Sequence, residues 1–223
     1  RSAPRPAQLL HHSRGHEPAK MLEIVDNEME QVGNRSLFNS PKHQKLREKW
    51  CAAKFGAAYS TVVEHCLVAV NESSQRIEAD FFLKIGRSIY PFQICEAMPP
   101  DRRRGDEYKE NRNESFSDLT PKAQRGAVEG PEWIASQVGK KAAKRYAGAH
   151  LLNLLVYANF PATRLEINRV RMAVVRYQSV FASIWVLNDL LLVSMSIGND
   201  LRPVGHWIGT GKSIAETLWP EAM

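Results

Sequence analysis

Asp80, Gln93 and Glu96 lie in two runs of strand character, Arg76 to Ile85 and Ile89 to Ala97, joined by Gly86-Arg87-Ser88. Two carboxylates and a lysine held together can bind a divalent cation and activate water for phosphodiester hydrolysis. The carboxylates supply hard oxygens for Mg²⁺ or Mn²⁺, and the ammonium orients the nucleophile and offsets developing negative charge. Period-two alternation groups Glu78, Asp80, Phe82 and Lys84 on one face. In the next run Tyr90, Phe92, Ile94 and Glu96 share a face, and Gln93 and Cys95 share the other. Register decides what Asp80 meets. A three-residue turn centred on Arg87 brings Glu78, Asp80 and Glu96 to one face, whereas a two-residue turn or a bulge sets Gln93 beside Asp80. A carboxylate is the better ligand, so Asp80 and Glu96 are expected to share one cation. The plainer reading of the same acids is a solvated sheet face, or an ion pair with Lys84.

The elements that must position them follow from pattern. A short helix is expected from Met21 to Val32. A longer one opens at Ser40-Pro41, with Ser40 as N-cap and Pro41 at the first helical position, and runs to about Tyr59. Leu46, Trp50, Ala53 and Ala57 stripe it. Val62 to Val70 reads as the first strand, and the two runs above follow as a hairpin. Pro91 implies that its strand is an edge, or bulged near its start. Residues 98–130, rich in Pro, Arg and acids, read as a long exposed loop that is mobile or ordered only by a partner. A helix is expected from Pro131 to about Gly148, a strand over Leu151 to Tyr157 and a helix over Ala162 to Arg176. Phe181 to Leu187 and Leu190 to Ile197, turning at Asn188-Asp189, form a last hairpin. The expected architecture is an α/β domain over 40–197 with αβββαβ order, a mixed central sheet and a C-terminal β-hairpin extension. An N-terminal arm (1–39) and a tail (198–223) flank it, and residues 1–20 are left out of the fold.

The element order, with Asp80 on the second strand and Gln93 and Glu96 on the third, resembles the PD-(D/E)xK nuclease superfamily, whose fold is restriction-endonuclease-like. The likeness covers about residues 40–158 and rests more on element order than on the short motif. It implies a Mg²⁺- or Mn²⁺-dependent nuclease acting on DNA, with Asp80 and Glu96 as metal ligands. Ala79 stands where the motif has proline, and Met98 or Cys95, depending on register, stands where it has lysine. Some members take the lysine from the following helix. There Ile134, Val138 and Ala142 mark the apolar face, Lys141 falls at its edge, and Lys140 and Lys144 point away. Lys141 is therefore the expected catalytic lysine. The first helix of the superfamily often adds an acid, and Glu48, beside Cys51, Ala52 and Phe55, fits that role. Glu48 and Gln93 are expected to support the site.

The bulk numbers agree with an anionic partner. The chain carries 30 Lys and Arg against 24 Asp and Glu, a formal charge of +6. Arg102, Arg103 and Arg104, with Lys140, Lys144 and Arg145, are the expected contacts to DNA phosphates, where the Arg fork suits the geometry. Three cysteines without a CxxC pair exclude a metal knuckle and a disulfide framework, so a reducing, cytoplasmic setting is expected. No apolar run is long enough for a membrane span. Gly209-Thr210-Gly211-Lys212-Ser213 lacks the first glycine of a phosphate loop. Two rivals stand beside the nuclease reading. One is a catalytically inactive relative that binds nucleic acid or a protein. The other is an interaction module whose 98–130 loop or C-terminal tail meets a protein partner.

Overall fold

A computed structural model describes residues 15–32, 41–71, 79–102, 116–144, 146, 148–188 and 191–209. Ser40, Glu78, Arg103, Arg104, Arg145, Asp189 and the segment from Thr210 onward lie outside the described residues. The elements are α1 (Pro18–Val32), α2 (Gln44–Val62), β1 (Leu67–Val70), β2 (Phe81–Ile85), β3 (Ser88–Ala97), α3 (Phe116–Ala142), β4 (Asn153–Ala158), α4 (Ile167–Val174), β5 (Ser183–Asn188), β6 (Leu191–Ile197) and β7 (Ile208–Gly209). The strands form one seven-stranded sheet in chain order. β1, β2 and β3 are antiparallel, β3, β4 and β5 are parallel, and β5, β6 and β7 are antiparallel again. The expected mixed α/β class and its mixed sheet are therefore present.

Helices cover both faces, as parallel strands require. α1 and α2 pack on one face, where Phe55 is fully buried among Tyr59, Phe81, Phe92 and Trp185. Its ring lies 4.8 Å from Phe92 and 5.1 Å, edge-on, from Trp185. α2 touches β1 and β2 and also β6 and β7, so the sheet curls around it. α3 and α4 cover the opposite face with Ile134, Val138, Val170 and Val174.

Several expectations need correction. α2 runs on to Val62, so β1 begins only at Leu67. Packing of Phe55 and Tyr59 outweighs the strand preference of the β-branched residues at its end. β3 is a central strand, not an edge. Pro91 is tolerated because pairing with β4 starts one residue later, at Phe92↔Asn153, and Asn153 Nδ2 donates to the Pro91 carbonyl at 2.9 Å. Residues 116–130, expected to belong to the exposed 98–130 loop, are instead part of α3, which starts at Phe116 and passes through both Pro121 and Pro131, and residues 103–115 lie outside the described residues. Proline cannot donate to the carbonyl four residues back. The Arg169 guanidinium takes up that carbonyl, at Ala127, and bonds Val128 O at 2.7 Å. Gly126 lets α3 sit against the chain at Phe160 and Pro161. The helix ends at Ala142 instead of near Gly148.

Residues 15–20 also join the fold. His16 and Val68 exchange backbone hydrogen bonds of 2.8 and 2.9 Å, and Pro18 packs where a Cβ on Gly56 would fall. No helix among the described residues is long and apolar enough to cross a membrane.

A Cβ at position 126 would run into the Pro161 carbonyl oxygen, a backbone atom that cannot swing aside. Gly126→Ala is expected to lower stability by about 1–3 kcal/mol, the usual range for overpacking. Urea unfolding checks this, with an unchanged midpoint as the contrary result.

Candidate functional site

The turn after β2 settles the register. Ile85 pairs with Ser88, leaving the two residues Gly86 and Arg87 in the turn. Gly86 takes φ +56°, a left-handed conformation suited to glycine. Continuing that register past Phe81↔Phe92 places Gln93, not Glu96, opposite Asp80. The expected Asp80–Glu96 pairing is corrected accordingly.

β2 and β3 part at this point. Asp80 N still donates to Phe92 O at 2.7 Å, but the next amide of β3 is met differently. Ile94 N donates to Asp80 Oδ2, also at 2.7 Å, so a side-chain carboxylate stands in for a ladder rung. Burial raises the Asp80 pKa above the ordinary carboxylate value and the Glu48 charge adds to that rise. The Ile94 hydrogen bond and the positive charges of Lys141 and Lys45 oppose it.

Four of the expected residues meet at this fork. Lys141, in the last turn of α3, donates from Nζ to Gln93 Oε1 at 2.5 Å. Its ammonium also lies 5.9 Å from the centre of the Tyr146 ring. Gln93 is buried on β3. Glu48 is buried on α2, where Gln44 Nε2 donates to Oε1 at 2.8 Å and Lys45 Nζ to Oε2 at 2.7 Å. Asp80 thus feels an acid and a lysine from α2 and a second lysine from α3.

Glu96 belongs to a neighbouring feature. Asn159 Nδ2 donates to Glu96 Oε1 at 2.6 Å. The Asn159 carbonyl groups in turn accept from Arg102 Nη1. Arg102 is therefore folded onto Asn159 through Nη1. Lys140 and Lys144 are exposed beside the end of α3. Cys51 and Cys95 are buried, and burial pushes both thiols up to about 12, so they act as small apolar fillers.

Beside the fork opens a cavity of about 300 Å³, lined by Arg47, Glu48, Trp50, Ile94, Glu96 and Tyr157, among others. Sequence reading missed Asn159 and this cavity, whereas Lys45 was legible as the i−3 neighbour that partners Glu48. Asn159 carried the signal of a polar residue just past the end of a buried parallel strand.

Asp80, Glu48 and Gln93 bring oxygen acceptors to the fork, and each already accepts from a protein group: Asp80 from Ile94, Glu48 from Gln44 and Lys45, and Gln93 from Lys141. Among the described residues no group of three His, Cys, Asp or Glu side chains could hold a metal ion. Comparison with protein-family models, with curated proteins and with solved structures finds no match to this chain.

The raised pKa of Asp80 has a definite sign. Its contribution to stability is present below the ordinary carboxylate value of about 4 and is lost as pH rises through the raised folded-state value. At neutral pH the buried charge therefore opposes folding. Asp80→Asn, which keeps an acceptor for Ile94, is expected to melt above the unsubstituted protein at about pH 8, with the gap closing on acidification. Melting curves across pH decide it. A lower melting point at every pH would show that the carboxylate stabilises the fold.

Proposed function

We propose that this domain is a Mg²⁺- or Mn²⁺-dependent nuclease of restriction-endonuclease-like fold that hydrolyses DNA phosphodiester bonds. The observation that carries the reading is the meeting of Lys141 with Gln93 beside Asp80. These three residues come from α3, β3 and the residue just ahead of β2, with Glu48 approaching from α2. That is the order of elements the superfamily uses, and the lysine comes from the helix because β3 offers none.

Asp80 and Glu48, with the Gln93 amide oxygen, would hold the cation. When bound, it supplies polarisation of the phosphoryl oxygens and a lowered pKa for coordinated water. The chain's own groups do the rest. Lys141, oriented by Gln93, stabilises charge that builds on the phosphate oxygens and positions the attacking water. Lys45 holds Glu48 in place and tempers the repulsion between Glu48 and Asp80. Lys140 and Lys144 give the incoming backbone a positive approach. Glu96, three positions beyond Gln93, is not in the proposed metal set.

One observation favours a second reading. Gln93 is neutral where a second strand acid would add charge to the metal site. A domain that binds DNA without cutting it would keep the fork and lose turnover.

The test is a metal-dependence assay on linear, circular and single-stranded DNA. Asp80→Ala is expected to abolish cleavage. Lys141→Ala is expected to lower turnover about a hundredfold or more with little change in DNA affinity, the mark of a group acting on the transition state. Salt titration should show binding that weakens steeply with ionic strength. Binding without cleavage under any metal would move the conclusion to the second reading. Neither binding nor cleavage would overturn both.

A further inference from the structure

The cavity beside the fork is not needed to explain hydrolysis, and its lining has a chemistry of its own. It sits at the carboxyl ends of the parallel strands β3 and β4, between these strands and α1 and α2, where open α/β sheets receive ligands. Trp50 and Tyr157 form an aromatic wall, their rings edge-to-face at 5.4 Å, and Met29 and Ile94 add apolar surface. Glu48, Glu96 and Arg47 line the same space, and Glu48 already accepts from Gln44 and Lys45. Arg47 is half-buried, and burial lowers its pKa while the Glu48 charge resists that fall. Glu96 does not swing freely: Asn159 holds one of its oxygens, and Arg102 holds Asn159.

A flat aromatic ligand with donors on one edge and an acceptor nearby matches this set. Carboxylates only accept hydrogen bonds, and guanidinium only donates. We propose that the cavity takes an unpaired nucleobase of the bound strand and favours one bearing an exocyclic amino group. Guanine fits best. Its ring N–H and amino group lie side by side for a carboxylate, and its carbonyl oxygen is left for Arg47. Thymine, which has no exocyclic amino group, fits worst. The proposal rests on the nuclease reading for its ligand class and adds a requirement to it. The strand at the fork must be single-stranded, or frayed enough to release one base, because a paired base cannot present that edge. Glu48 lines the cavity and also belongs to the fork, so a base seated there would set the position of its own phosphate.

The experiment uses the full chain in EDTA, so that binding is read without cleavage. Fluorescence anisotropy is measured on thymine-rich single strands carrying one central guanine, hypoxanthine, adenine, cytosine, thymine or abasic position. Hypoxanthine differs from guanine by the amino group alone. Guanine is expected to bind about tenfold or more tighter than hypoxanthine or the abasic site, the usual worth of a hydrogen bond to a charged acceptor. Glu96→Gln, nearly identical in shape, is expected to erase the guanine preference and to improve binding of the thymine strand, since its amide can donate. Equal affinity across all six strands, with cleavage intact in Mg²⁺, overturns the base pocket and leaves the nuclease standing. Base preference without cleavage upholds the pocket and removes the catalysis. No binding of any strand removes both.

Discussion

A carboxylate in place of a backbone rung is the constraint on which the site depends. The Asp80 side chain bonds the Ile94 amide at the place where β2 leaves β3. An amide buried there without a partner would cost about 1–3 kcal/mol, so the acid is tied to the sheet it interrupts. Because that tie brings a negative charge into a half-buried place, positive groups are needed nearby. α2 supplies Lys45 and α3 supplies Lys141, and both lower the cost of keeping Asp80 ionised. The charges at the fork are therefore coupled through one side chain that also completes the sheet's hydrogen bonding. Sites built to hold a charge in a poor solvent commonly sacrifice stability in this way.

The frame around the fork is stiff for a different reason. Phe55 stands among four aromatic rings on one face of the sheet. On the other face, α3 is fixed by its close approach at Gly126 and by Arg169 reaching across from α4. Lys141 sits at the far end of that helix. Its bond to Gln93 lies about four turns along the helix from the Ala127 and Val128 carbonyls that Arg169 holds.

Local signals in the sequence located most of this. The β2–β3 hairpin was legible from alternation, and Lys141 from its place at the edge of the Ile134 and Val138 stripe, since both depend on short-range periodicity. Glu48 was legible as an acid on an apolar helix face. Register was not legible. Gly86-Arg87-Ser88 accommodates a two-residue or a three-residue turn, and one residue of slip takes Gln93 off the Asp80 face and puts Glu96 on it. The stretch ending at Pro131 was misread because Pro121, Gly126, Gly130 and Pro131 each weaken a helix locally. What rescues the helix, Arg169 and the chain at Phe160 and Pro161, comes some thirty to forty residues later, beyond the reach of any local pattern.

The backbone exchange between His16 and Val68 bears on how the protein behaves in concentrated solution. It covers the outer side of β1 at one position, so the sheet does not present a bare row of donors and acceptors there. Pro18 then fills the space against Gly56 and Val68. A chain shortened to begin at Met21 would uncover that side of an apolar strand, Leu67-Val68-Ala69-Val70. An uncovered strand of this kind pairs readily with its copy in another molecule. Residues 15–20 thus guard solubility as well as shape, and their removal would show first as self-association at high protein concentration.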